Sequence, residues 1–138
     1  ALNIANGKVP DHGGQMPHAE LVAADPDLIF FVGGLLPPYS RGVRTGYGVD
    51  AATTRAGLAA YAARPGYDRL KAVRTGAVHA VDHSLVWSLR DVYGMQYMAK
   101  QLYPAEFEDI DPVKGLADFH ARFLPVPFSG TWFQRLGA

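Results

Sequence analysis

The sequence predicts an α/β fold with parallel strands, and three observations carry that prediction. Residues 28–32 and 77–81 are short, apolar and rich in branched or small side chains, as buried strands are. Segments with helical spacing lie before, between and after them. Each strand-like segment is also followed by a helix-like one, the alternation that builds a parallel sheet.

Taken in order, residues 1–16 read as loop, with Gly7, Pro10, Gly13 and Gly14 and one apolar patch at 1–5. A domain seldom opens on its first core residues, so further chain upstream of Ala1 is expected. Pro17 suits the first position of a helix, and residues 18–24 form a short one with Leu21 and Val22 inward, ended by Asp25-Pro26-Asp27. The run Leu28-Ile29-Phe30-Phe31-Val32 has the composition of a strand buried on both faces, and Gly33-Gly34 closes it.

Residues 33–48 then form a long connection without periodicity, a length usually kept for function. It holds Tyr39, Arg41, Arg44 and Tyr47, with no acid before Asp50. Asp50 is placed to cap a helix over 51–63 anchored by Leu58 and Tyr61. Pro65-Gly66 stops that helix, and Thr75-Gly76 marks a second break before the strand at 77–81. Asp82 to Trp87 leads off the strand. A helix starting near Leu89 is expected to turn Val92, Met95, Ala99 and Leu102 inward, until Tyr103-Pro104 breaks it. Asp111-Pro112 supplies a cap and a first-turn proline for a helix ending at Phe123, with Leu116, Phe119 and Phe123 inward. The tail, 124–138, reads as an irregular aromatic strap.

Parallel strands deliver both post-strand loops, 33–48 and 82–88, to one edge of the sheet. Open α/β sheets bind ligands at that edge.

A chain of 138 residues accommodates one domain and one core. Thirteen basic residues balance thirteen acidic ones, so no global field favours nucleic acid. The absence of cysteine excludes disulfides, thiolate metal sites and cysteine nucleophiles. No apolar run approaches the ~20 residues of a membrane span.

Of the five histidines, only His79 and His83 share a four-residue spacing, but no glutamate follows His79 as a zinc-protease helix requires. His79 lies within the strand and reads as structural. His83 sits at the strand end, where it could reach a haem iron or a chelate. Asp82-His83-Ser84 cannot form a catalytic relay, because consecutive extended residues point to alternate sides. No phosphate-binding glycine loop and no paired catalytic carboxylates are present. Trp132, Phe133, Phe119 and Phe123 read as core. Trp87 and Arg90, with Tyr39, Arg41 and Tyr47 from the other loop, form the candidate ligand-binding set. Arginine beside such rings suits an anionic, flat, partly apolar ligand.

The segment A-E-L-V-A-A-D-P-D-L-I-F-F-V-G-G at 19–34 resembles the S-L-E-x-L-L-A-x-x-P-D-x-I-x-V stretch of periplasmic substrate-binding proteins of ABC importers. These are the proteins that carry iron-siderophores, haem and cobalamin. Residues 66–82, G-Y-D-R-L-K-A-V-R-T-G-A-V-H-A-V-D, resemble the same family's P-x-W-x-x-L-x-A-V-K-N-G-R-V-Y-x-V-D more closely. Lys100-Gln101-Leu102-Tyr103-Pro104 resembles its A-x-x-L-x-P helix ending. The resemblance thus covers 19–104 in the family's order.

It implies a three-layer lobe with a small, mainly parallel sheet flanked by helices. This would be the C-terminal half of a two-lobed, helix-linked protein. Residues 1–138 would then be a single lobe lacking the N-terminal lobe, the interlobe helix and its own first strand, and exposing apolar surface in their place. The implied function is non-enzymatic: capture of an iron chelate, haem or corrinoid between the lobes, and delivery to the permease. The implied location is the periplasm, or the outside of the cell on a lipid anchor. No built-in cofactor is implied. Trp87 and Arg90 match the family's cleft loop, and Tyr39, Arg41 and Tyr47 match the preceding loop by position. The family's permease-docking glutamate corresponds to Ala19, with Glu20 one place later as the docking acid. Two other readings stay open: a flavodoxin- or chelatase-like enzyme domain using His83, and a protein-interaction module.

Overall fold

The computed structural model describes residues 1–9, 14–35 and 42–137. Its elements run in the order α1 (His18–Ala24), β1 (Ile29–Gly33), α2 (Ala51–Ala62), α3 (Lys71–Arg74), β2 (Val78–Asp82), α4 (Asp91–Leu102), α5 (Pro112–Phe123) and β3 (Phe133–Arg135). Short 3₁₀ turns occupy Tyr67–Arg69 and His83–Leu85. The sheet has the order β1-β2-β3, with β1 parallel and β3 antiparallel to β2.

Side-chain alternation along the strands makes three layers. Val78 and Ala80 of β2, with Ile29 and Phe31 of β1, meet Leu58 and Tyr61 of α2 and Ala72 and Val73 of α3. On the other face Val81 and Phe30 meet Leu85, Tyr93, Tyr97 and Met98 near and on α4, Leu116 of α5, and Trp132. Leu58 and Leu116 are fully buried, each contributing about 1.5–3 kcal/mol relative to exposure. Every residue of β2 is buried, as the central strand requires.

Both expected side-chain caps are present. Asp50 accepts from the Thr53 N–H, and Asp111 from the Lys114 N–H. Residues 67–74 add two short helical turns where the sequence showed only a break.

Several expectations are corrected. β1 is half-buried with Val32 exposed, because among the described residues it pairs on one side only. Leu2 is exposed and the α-amino group of Ala1 donates to the Tyr103 hydroxyl, so the first residues lie on the surface. The tail is not wholly irregular: Phe133–Arg135 adds a strand, since the exposed edge of β2 offers backbone partners to a passing segment. α4 presents Val92, Met95 and Leu102 outward, at 40–55% exposure. Its inward side is Tyr93, Gly94, Tyr97 and Met98, because Gly94 lets the helix close on the Leu85 carbonyl and Tyr97 stacks on Phe133. On α5 the buried series is Pro112, Leu116 and His120, spaced by four, and Phe123 is exposed.

Candidate functional site

β1 and β2 end together, with Gly33 opposite Asp82 in the parallel register. The two loops leaving them therefore start side by side. Gly34 donates its N–H to the Val43 carbonyl, so the returning chain lies against the end of β1. A side chain at Gly33 would put its Cβ 2.5 Å from that carbonyl oxygen, which is why glycine stands there. The same return buries Val43, Thr45 and Gly46, so the second half of the long connection is anchored structure.

Asp82 joins the two loops. Its Oδ2 accepts from the Thr45 hydroxyl at 2.8 Å. Its Oδ1 accepts from the Ser84 N–H at 2.9 Å and the Ser84 hydroxyl at 2.6 Å, capping the 3₁₀ turn. Three donors thus stabilise a buried carboxylate, as such a group requires. Ser84 in turn accepts from Nη2 of Arg90 at 3.2 Å, and the Ser88 hydroxyl donates to the Ser84 carbonyl. These contacts fold Arg90 back over the end of the sheet.

The tail supplies the third wall. Gly46 and Thr131 exchange backbone hydrogen bonds, and the Thr131 hydroxyl donates to the Val49 carbonyl. The Asp82 N–H donates to the Trp132 carbonyl, and the Trp132 indole N–H donates to Ser129. Trp132 is held there with Tyr47 edge-on at 4.7 Å and the Arg90 guanidinium 5.1 Å from its ring. The Tyr47 hydroxyl lies 3.1 Å from Nδ1 of His120, which is fully buried. Burial first, and the Arg90 charge second, hold His120 below the ordinary imidazole range, against a backbone hydrogen bond to Val126.

These parts enclose an open cavity of about 270 Å³ at the carboxyl edge of the sheet, bordered also by Gly34, Leu35 and His83. Its walls combine the Arg90 guanidinium, the Tyr47 and Trp132 rings, the His83 imidazole, the Thr45, Tyr47 and Ser84 hydroxyls and the Asp82 carboxylate with an aliphatic rim at Leu35. Such a surface can hold a flat, partly apolar group and donate to an anionic oxygen.

Tyr47 and Arg90 are brought together at this cavity. Trp87 stands outside its lining, 77% exposed, with its ring 6.3 Å from that of His83. Tyr39 and Arg41 lie outside the described residues. Glu20 is exposed in the first turn of α1. His83 borders the cavity, and His79 is a core residue bonded to the Tyr97 hydroxyl at 2.9 Å. Burial pushes His79 down to about 4 and the Tyr97 phenol up to about 12.

Sequence reasoning missed Thr45, Asp82, Ser84 and the double role of Trp132, which is both core and cavity wall. An aspartate two residues before a serine at a strand end was the available signal for the cap. Nothing local marked Thr45 or Trp132. Among the described residues no group of three or more histidine, aspartate or glutamate side chains is placed to hold a metal ion, and no helix is long and apolar enough to cross a membrane.

No family model matches the chain, and none of the curated proteins does. Among solved structures, the TroA-like periplasmic binding protein FepB from Veillonella parvula superposes with a TM-score of 0.89 at 30% identity. The match covers 96% of this chain and 38% of that one, so this chain spans well under half of its relative's length.

Proposed function

We propose that this chain, one lobe of a TroA-like periplasmic binding protein, forms one wall of the ligand cleft of a carrier serving an ABC importer. On this reading it is the C-terminal lobe, the facing wall is a second lobe joined by a linking helix, and the whole works in the periplasm. The cargo is a metal chelate: an iron-siderophore, haem or a corrinoid. The protein binds and releases it without transforming it.

The observation that carries this reading is the cavity where Tyr47, Arg90 and Trp132 converge at the carboxyl edge of the sheet. It lies where the two post-strand loops meet, and it is open on one side. A half-cleft of this kind becomes a binding site when a second surface closes on it. Trp87, exposed beside His83, is assigned contact with the outer part of a ligand larger than the cavity itself. Tyr39 and Arg41, which precede Tyr47 in the 33–48 stretch of sequence, are assigned to ligand binding on that sequence position alone. Glu20, on the exposed face of α1, is the acid assigned to permease docking.

Titrating the full-length protein with ferric siderophores, haemin and cobalamin, followed by tryptophan fluorescence, tests the reading. A saturable response to one of these classes is expected, since both tryptophans lie at or beside the cleft. No response to any of them contradicts it.

A further inference from the structure

The buried acid Asp82 borders the cavity, and the contacts around it lead to Arg90. A carboxylate accepts only, so the 2.6 Å contact has the Ser84 hydroxyl donating to Asp82 Oδ1. That leaves Ser84 Oγ with its lone pairs outward, and Arg90 Nη2 donates to it at 3.2 Å. Ser84 itself is fixed twice more, by its N–H on Oδ1 and by the Ser88 hydroxyl on its carbonyl. The far carboxylate oxygen is tied to Thr45, whose side chain is fully buried. The Arg90 guanidinium carbon also lies over the Trp132 ring, 5.1 Å from its centroid. A long, flexible cation is therefore held by a ring face and by a hydroxyl whose orientation a buried carboxylate dictates.

We propose that Asp82 and Ser84 are positioning residues that hold Arg90 ready for an anionic oxygen of the ligand. Arginine loses rotamer freedom when it binds, and a support that orders it beforehand removes that cost from the binding step. Neither residue needs to touch the ligand. The directions of the bonds also assign polarity. With their protons given to Asp82, Thr45 and Ser84 present acceptors, so Arg90 is the cationic donor of this group. The ligand class follows: a chelate whose inward face carries a negative oxygen, met by Arg90 rather than by the Thr45 and Ser84 hydroxyls.

The inference rests on the carrier reading for its ligand but not for its geometry, and the test separates the two. In the full-length protein without ligand, side-chain ¹⁵N relaxation of Arg90 reports its order. Ser84→Ala is expected to lower that order and Ser84→Thr, which keeps the hydroxyl, to preserve it. Unchanged Arg90 order in Ser84→Ala overturns the positioning claim, whatever the protein binds. The second arm compares a ferric tris-catecholate, which is a trianion, with a neutral ferric tris-hydroxamate. Ser84→Ala and Arg90→Ala are each expected to weaken the anionic complex by about tenfold and the neutral one less than about twofold. Equal losses for both complexes, or binding of neither, overturn the assignment to an anionic oxygen. Binding of neither with Arg90 order lost in Ser84→Ala counts against the carrier reading and leaves the support intact.

Discussion

The Thr45 hydroxyl donates to Asp82 across 2.8 Å, joining two loops that are 37 residues apart in the chain. Both side chains are buried. This contact, with the Ser84 cap, fixes the floor of the cavity. Replacing Asp82 by alanine leaves the Thr45 hydroxyl and the Ser84 N–H without their acceptor. Asp82→Ala is expected to cost about 3 kcal/mol of stability, read from urea denaturation. Asp82→Asn keeps one acceptor and is expected to cost less.

The two tryptophans should separate cleanly. Trp87 is 77% exposed and Trp132 is 3% exposed. Trp87→Ala is expected to change stability by no more than about 0.5 kcal/mol, and Trp132→Ala to lower it by about 3–5 kcal/mol. Thermal unfolding of both variants measures this, and a large loss for Trp87→Ala would contradict the surface placement.

Acid should weaken the fold as pH drops below the ordinary imidazole range. His79 is held at about 4, below the 6.5 of a free imidazole, chiefly by burial and secondly by Arg135. His120 is shifted the same way by burial and Arg90. Between these values the unfolded chain binds protons that the folded chain refuses. Stability from His79 is thus complete above about pH 6.5 and falls as pH drops toward 4, by about 3 kcal/mol in all. Urea midpoints measured from pH 7 to pH 4 should fall steadily, and His79→Gln should flatten the slope.

Gly94 sets how closely α4 approaches the turn that carries Ser84. A Cβ there would lie 2.5 Å from the Leu85 carbonyl oxygen, a backbone atom that cannot swing away. Gly94→Ala is expected to cost about 2 kcal/mol and to displace Arg90, despite alanine's better helix propensity. A stabilising effect in thermal unfolding would contradict this packing.

Much of the arrangement was legible in the sequence because its signals were local. Leu28–Val32 and Ala77–Val81 had strand composition. Asp50 and Asp111 stood before helical periods, and parallel pairing alone brought the loop ends together. The misreadings share one cause, since each depended on a partner distant in the chain. α4 carries two apolar stripes about 100° apart, and distant partners decide between them: His79 and Phe133 for Tyr97, Phe119 and Gly115 for Tyr93. β3 has three residues and exists because β2 offers it an edge. At the site, Tyr47 and Arg90 were visible as unusual residues in unusual loops. Thr45, Asp82 and Trp132 became part of it through a closure that joins three separate segments, which no spacing rule records.

The structure of the full-length protein loaded with the chelate identified by titration tests the central claim most directly. The account predicts the chelate at the carboxyl edge of the sheet, within contact of Arg90 and the Tyr47–Trp132 wall, with Trp87 against its outer part. A chelate bound away from this cavity, with Arg90 still folded onto Ser84 and facing solvent, would contradict it.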